Sequence, residues 1–139
     1  MRDFILPVRV YYEDTDAGGV VYYANYLRFM ERARTEWLRT LGYEQDVLIR
    51  EQGLLFAVRS VAVEYKKPAR FNDLLQVAVN GIKLGRVTLT FEQRIARLGD
   101  REEQEIITTG SVRVASLDAM TFRPKPIPQQ LRQDLESAS

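Results

Sequence analysis

Apolar positions recur along this chain with two periods, and the change between them marks out its elements. From about Ala24 to Leu41 they fall at Tyr26, Phe29, Met30, Ala33, Trp37 and Leu41, spaced by three and four. That spacing predicts one amphipathic helix of about five turns, with Arg28, Glu31, Arg32, Arg34, Glu36 and Arg39 on the solvated side. Gly42 is placed to end it. A shorter, weaker helix is expected over 44–52, before Gly53. Elsewhere the period is two. Residues 5–13 predict a strand, alternating from Val8 onward with Pro7 near its start. Val61, Val63 and Tyr65 alternate with Ala62, Glu64 and Lys66, and Leu75, Val77 and Val79 with Gln76, Ala78 and Asn80. Val87, Leu89, Phe91 and then Ile95 form a further run, and 104–117 a last one around Val112 and Val114. Asn72-Asp73, Leu84-Gly85 and Gly99-Asp100 are the turns between them. From Thr121 the chain is Pro-rich (Pro124, Pro126, Pro128) and ends in a polar helix from about Gln129, expected to fray.

One strand, one long helix and four consecutive strands predict an α+β fold. An antiparallel, curved sheet of about five strands wraps around the helix, as one domain over residues 1–139. Such a sheet leaves a face and two edges uncovered. The alternate strand positions rich in Thr, Ala and Asn therefore predict pairing with a second copy, as a homodimer or homotetramer.

Composition narrows the chemistry. A net charge of +1 and a pI near 8.0 provide no field to recruit nucleic acid or an acidic membrane. No run of about 18 apolar residues occurs, so no membrane span is expected. The first residues, Met1-Arg2-Asp3-Phe4, lack the apolar core of a signal peptide, which makes the cytoplasm the expected location. With no cysteine there is no disulfide, thiolate nucleophile or cysteine-bound metal. With no histidine there is no Ser-His-Asp triad and no histidine metal site. Acid–base work near neutral pH falls to a carboxylate, a Tyr, a Lys or water.

The stretch from Asp14 to Tyr26 concentrates what remains. Asp16, then Gly18 and Gly19, then a helix start place a carboxylate beside free backbone donors at the positive end of a helix dipole, an arrangement suited to an electrophilic carbonyl. Asp14 is read as structural, Asn25 as a cap, and Tyr26, Phe29 and Trp37 as core. Glu31 and Glu64 are the weaker carboxylate candidates, and both are expected to be solvated.

Arg9-Val10, four residues, Thr15-Asp16, two residues, then Gly19-Val20-Val21 resembles the signature of the 4-hydroxybenzoyl-CoA thioesterase family of hotdog-fold proteins. Within it, the Val10–Tyr22 stretch together with Glu31-Arg32-Ala33-Arg34-Thr35-Glu36 is similar to the acyl-CoA thioesterases associated with the Tol–Pal system. The resemblance spans roughly Val8 to Leu117. It implies hydrolysis of acyl-CoA thioesters by an oligomer of hotdog dimers, without metal or cofactor, CoA entering only as part of the substrate. It assigns Asp16 as nucleophile or general base and the Tyr23 backbone amide as the donor that polarises the thioester carbonyl. Gly19 and Val20 then contact substrate, with Lys67, Arg86 and Thr88 at the nucleotide of CoA. At Tyr23 the chain departs from the Tol–Pal subgroup, whose members often carry His there, while hydroxybenzoyl-CoA enzymes can carry Tyr. An aromatic acyl-CoA, such as hydroxybenzoyl- or dihydroxynaphthoyl-CoA, is accordingly the alternative substrate. A non-catalytic acyl-CoA or acyl-carrier binding protein is the alternative of another class, and acyl carrier protein a further candidate partner.

Overall fold

The computed structural model describes residues 2–139; Met1, the first residue of the expected domain, lies outside the described residues. The order is β1 (Phe4–Arg9), a 3-10 turn (Tyr12–Asp14), α1 (Ala24–Thr40), α2 (Gln45–Gln52), β2 (Leu54–Tyr65), β3 (Leu74–Leu84), β4 (Thr88–Leu98), β5 (Gln104–Asp118) and α3 (Gln129–Ala138). The strands form one antiparallel sheet, ordered β1-β3-β4-β5-β2. β3, β4 and β5 follow one another as hairpins, and β2 closes the far edge. This is the sheet-around-helix arrangement that the two periods predict.

α1 is about 25 Å long and lays its apolar stripe on the sheet. Tyr26, Phe29, Met30, Ala33, Trp37 and Leu38 are buried against residues such as Leu75, Val77, Phe91, Ile95 and Val112. Trp37 meets Phe91 edge to face, with centroids 5.7 Å apart. No helix is long and apolar enough to cross a membrane.

Four expectations need correction. The first strand ends at Arg9, not at 13. Val10 still exchanges backbone hydrogen bonds with Asp73 and Asn72, but the Asp14 carboxylate then accepts the Tyr11 N–H at 2.8 Å and curls the chain. β2 begins at Leu54, ahead of the alternation that starts at Val61. Leu54-Leu55-Phe56-Ala57-Val58 is a continuous apolar run with no period to count, and a bulge between Val58 and Ser60 shifts its phase. α3 is docked and not frayed: Leu131 and Leu135 are buried, the Tyr43 hydroxyl donates to Asp134, and Arg132 donates to the Gly85 carbonyl at 2.5 Å. Arg34, expected in solvent, is buried. It flanks the apolar stripe beside Ala33, and the curved sheet is wide enough to cover it.

The two edges of the sheet differ. β1 is six residues long with Pro7 in it. β2 is twelve residues long, and Val58, Val61 and Tyr65 along it are 51%, 42% and 44% exposed.

Candidate active site

The turn between β1 and α1 is built on Asp16. Its backbone N–H donates to the Val20 carbonyl at 2.9 Å, and its carbonyl accepts the Gly19 N–H at 3.0 Å. Gly19 has φ of +79°, in the left-handed region that side chains resist, so glycine closes this turn at least cost. One carboxylate oxygen of Asp16 accepts the Gly18 N–H at 2.8 Å. A Cβ at Gly18 would stand 3.2 Å from that oxygen, which makes the bare backbone part of the carboxylate's seat. The rest of the carboxylate is exposed on the chain's surface. Val20 bridges to Arg70, and the Val21 N–H donates to the Ala69 carbonyl at 2.8 Å, stitching the turn to the segment after β2.

The head of α1 is tied to the same turn through Asp14. Its carbonyl accepts both the Tyr22 N–H and the buried Asn25 side-chain amide, each at 2.9 Å. Asn25 is thus a staple between turn and helix and not the cap the sequence predicts; the capping position is Tyr23, with helical backbone and no side-chain cap. Among the described residues the Tyr23 N–H donates to no acceptor. A carboxylate and an unpaired amide at a helix N-terminus therefore belong to one rigid unit.

Aromatic rings wall this unit. Tyr23 lies 4.9 Å from Tyr22 and 6.1 Å from Tyr65 between centroids, and Tyr65 lies 5.5 Å from Tyr26. The Tyr26 hydroxyl accepts the Ala69 N–H at 3.0 Å. Burial pushes the Tyr26 and Tyr65 hydroxyls above the ordinary tyrosine range, and a hydrogen bond with Tyr23 does the same for Tyr22. None of these three phenols supplies a base near neutral pH. Tyr65 was visible to sequence reasoning only as one more apolar strand position.

The remaining predicted residues divide between two places. Lys67 follows β2 at the same end of the sheet as the turn, its backbone N–H donating to the Ile107 carbonyl at 3.2 Å. Its ammonium pairs with Glu105 at 2.6 Å, in a network that Arg97 extends to Asp73. Arg86 and Thr88 sit in the β3–β4 hairpin, where the Gly85 N–H donates to the Thr88 carbonyl. Thr88 and Ile95 share a strand, and Ile95 stands level with Thr108 and Tyr65. That separation is about 23 Å, so Asp16, Gly19, Val20, Tyr23 and Lys67 come together, while Arg86 and Thr88 lie at the other end of the same chain. Glu31 and Glu64 are exposed, as expected. Among the described residues no three acidic side chains group where they could hold a metal ion.

A family model described as the Thioesterase-like superfamily matches residues 10–135. The acyl-CoA thioesterase YbgC of Haemophilus influenzae is 44% identical over 129 residues, 93% of this chain and 91% of that protein. The crystal structure of a probable thioesterase from Bartonella henselae is 31% identical, with a TM-score of 0.82 over 91% of this chain and 100% of that one. A 4-hydroxybenzoyl CoA thioesterase from a Pseudomonas species has the same fold, with a TM-score of 0.86 at 18% identity over 96% of this chain and 99% of that one. The carboxylate turn, the sheet curved around α1 and these relatives lead to one assignment: the chain is a hotdog-fold member of the Thioesterase-like superfamily.

Proposed function

We propose that the protein hydrolyses acyl-CoA thioesters to a free acid and CoA. The observation that carries this is the pairing of the Asp16 carboxylate with the unpaired Tyr23 N–H on one braced turn. The thioester oxygen accepts the Tyr23 N–H, which draws electron density from the carbonyl carbon. Asp16 either takes a proton from a water that attacks this carbon or attacks it directly, forming an anhydride that water then opens. The tetrahedral oxyanion is held by the same amide and the helix dipole. Its collapse breaks the C–S bond, and the departing CoA thiolate is protonated. No metal or cofactor is written into these steps.

Gly19 and Val20 form the lip over which the thioester reaches the backbone. Lys67 serves the phosphates of CoA from the same end of the sheet. Arg86 and Thr88 serve the nucleotide of a substrate bound by another copy, since they lie far from their own chain's Asp16. The long exposed edge of β2 supports that assembly, a homodimer or a homotetramer built from it. Acyl carrier protein is a second carrier of thioesters that this site would accept, and the cytoplasm is the compartment this substrate requires. The cluster of Tyr22, Tyr23 and Tyr65 supports aromatic acyl groups as the alternative to aliphatic ones.

The test is a panel of alkanoyl-, hydroxybenzoyl- and dihydroxynaphthoyl-CoA esters with wild-type protein and Asp16→Asn. Wild type releases CoA, and Asp16→Asn lowers kcat about 1000-fold at unchanged Tm. Wild-type turnover in the variant would remove Asp16 from the mechanism, and tight CoA-ester binding without any turnover would make the protein a binding module. Hydrolysis in heavy-oxygen water separates the two routes: label in the Asp16 carboxylate marks the covalent one.

A further inference from the structure

Arg34 is a buried cation held in place by a neutral amide, Gln93, rather than by a carboxylate. It lies on α1 with 8% of its surface exposed and makes no ion pair among the described residues. One guanidinium nitrogen donates to the Gln93 side-chain oxygen at 3.1 Å. Gln93 is itself buried, and its amide donates to the Met30 carbonyl at 3.1 Å, which fixes its orientation and so that of Arg34. The guanidinium carbon stands 5.8 Å from the Phe91 ring centroid. No other hydrogen bond from the guanidinium's remaining donors is present among the described residues.

Arg34 lines a cavity of about 240 Å³ between α1, the start of α2 and strands β2, β4 and β5. Leu38, Phe56, Val58, Leu89, Phe91 and Val114 form the apolar part of its wall, with Glu31, Arg34, Thr35 and Gln45 as the polar part. Its two other neutral polar residues are joined to each other, the Gln45 amide donating to the Thr35 hydroxyl at 3.2 Å. Glu31, one turn earlier on α1, lines the same cavity but is exposed and does not pair with Arg34. Burial lowers the proton affinity of the guanidinium and the Glu31 charge offsets part of that, so the charge is still held there at a cost. Fixed donors with unused hydrogen-bonding capacity, on a cation that makes no ion pair, beside a cavity are what an anion site requires.

A second cavity, of about 190 Å³, shares Glu31, Arg34 and Val58 with the first and continues it over Leu27, Val61 and Val112. Arg28 also lines it and is exposed. Leu27 is one helical turn from Tyr23 on the same face. The two cavities thus follow α1 from Leu27 to Arg34, and Tyr23 and Arg34 are separated by a rise of about 16 Å.

We infer that Arg34, oriented by Gln93, determines specificity by receiving the distal carboxylate of an acyl chain whose thioester lies at Tyr23. The favoured substrates are ω-carboxyacyl thioesters of medium length. This rests on the thioesterase reading above and adds to it a substrate class.

The full-length oligomer is assayed with adipoyl-, suberoyl- and sebacoyl-CoA against hexanoyl-, octanoyl- and decanoyl-CoA, in wild type, Arg34→Lys and Arg34→Met. At one length wild type favours the carboxylated ester in kcat/KM by about tenfold, the size of one charge-assisted hydrogen bond. Arg34→Met brings that ratio to about one or below, and Arg34→Lys restores part of it. Removing a buried charge that makes no ion pair leaves the Tm of Arg34→Met equal or raised. Equal losses on both ester series together with a large fall in Tm overturn the inference in favour of a purely structural Arg34. Good hydrolysis of the alkanoyl esters with no preference for a carboxylated one at any length overturns it while the thioesterase reading stands. Arg34-dependent competition by free suberate, with no preference among the esters, assigns the pocket to a free acid and overturns the acyl-chain assignment. Absence of hydrolysis with every ester overturns both readings.

Discussion

The two ends of the sheet treat their polar groups in opposite ways. At the end that carries β1's exit and the head of α1, Lys67, Glu105, Arg97 and Asp73 are paired, yet two groups of the turn remain available. Asp16 is exposed with one oxygen engaged, and the Tyr23 N–H donates to nothing among the described residues. At the end that carries the β3–β4 hairpin and α3, polar groups are tied down. The Arg86 carbonyl accepts the Ile127 N–H, the Gly85 carbonyl accepts Arg132, and Tyr43 donates to Asp134. Asp118 accepts the Met120 and Thr121 N–H groups, and these bonds hold its carboxyl below the usual carboxylate range. At the hairpin end the named groups use up their hydrogen-bonding capacity, while at the other the fold braces a turn and leaves a carboxylate oxygen and an amide open.

That contrast can be broken by substitutions at either end. The largest effect is the loss of hydrolysis in Asp16→Asn, with Tm unmoved. Its mirror image is Leu135→Ala, which opens a cavity under the docked α3. We expect it to lower unfolding free energy by about 3 kcal/mol in urea titrations, while kcat of the folded enzyme at low temperature stays at the wild-type value. A fall in kcat matching that of Asp16→Asn would abolish the distinction between the ends.

A smaller effect sharpens the role of the hairpin. Arg86→Ala raises KM for acyl-CoA about tenfold, with little effect on a pantetheine thioester that lacks the nucleotide. Lys67→Ala raises it less, because Glu105 already balances that charge. An equal effect of Arg86→Ala on both thioesters would detach the hairpin from the nucleotide.

The smallest effect concerns Tyr43, whose hydroxyl is raised from 10.0 to about 12, first by its hydrogen bond to Asp134. The folded state therefore holds this proton more tightly than the unfolded chain. The contribution is complete below pH 10 and is lost as pH rises from 10 to about 12. Tyr43→Phe lowers stability by about 1 kcal/mol at neutral pH and flattens the fall in stability across that alkaline window. An unchanged alkaline profile would separate Tyr43 from the anchoring of α3.

Much of this was legible in the amino-acid order because it depends on local spacing. Period three-to-four from Tyr26 to Trp37 and period two in β3, β4 and β5 follow from how side chains leave a helix and a strand. Gly18 and Gly19 after Asp16 mark a turn, and the structure puts Gly19 there at a φ of +79°. The absence of histidine and cysteine is likewise a property of composition, and it alone places acid–base work on carboxylates, phenols, lysines or water.

What the tertiary structure decided is which polar groups end up paired, and that depends on contacts distant in sequence. Asn25 lies where a cap would lie, yet its amide reaches back to Asp14. The Tyr65 ring closes on Tyr23 because β2 runs beside β5 on the sheet's edge. Lys67 and Arg86 are alike as surface cations in sequence, but register puts them at opposite ends of the sheet. Arg34 has the charge of a solvent residue. Only the width of a curved sheet, with Gln93 brought over Met30 from β4, decides that it is buried and bonded to an amide instead of a carboxylate.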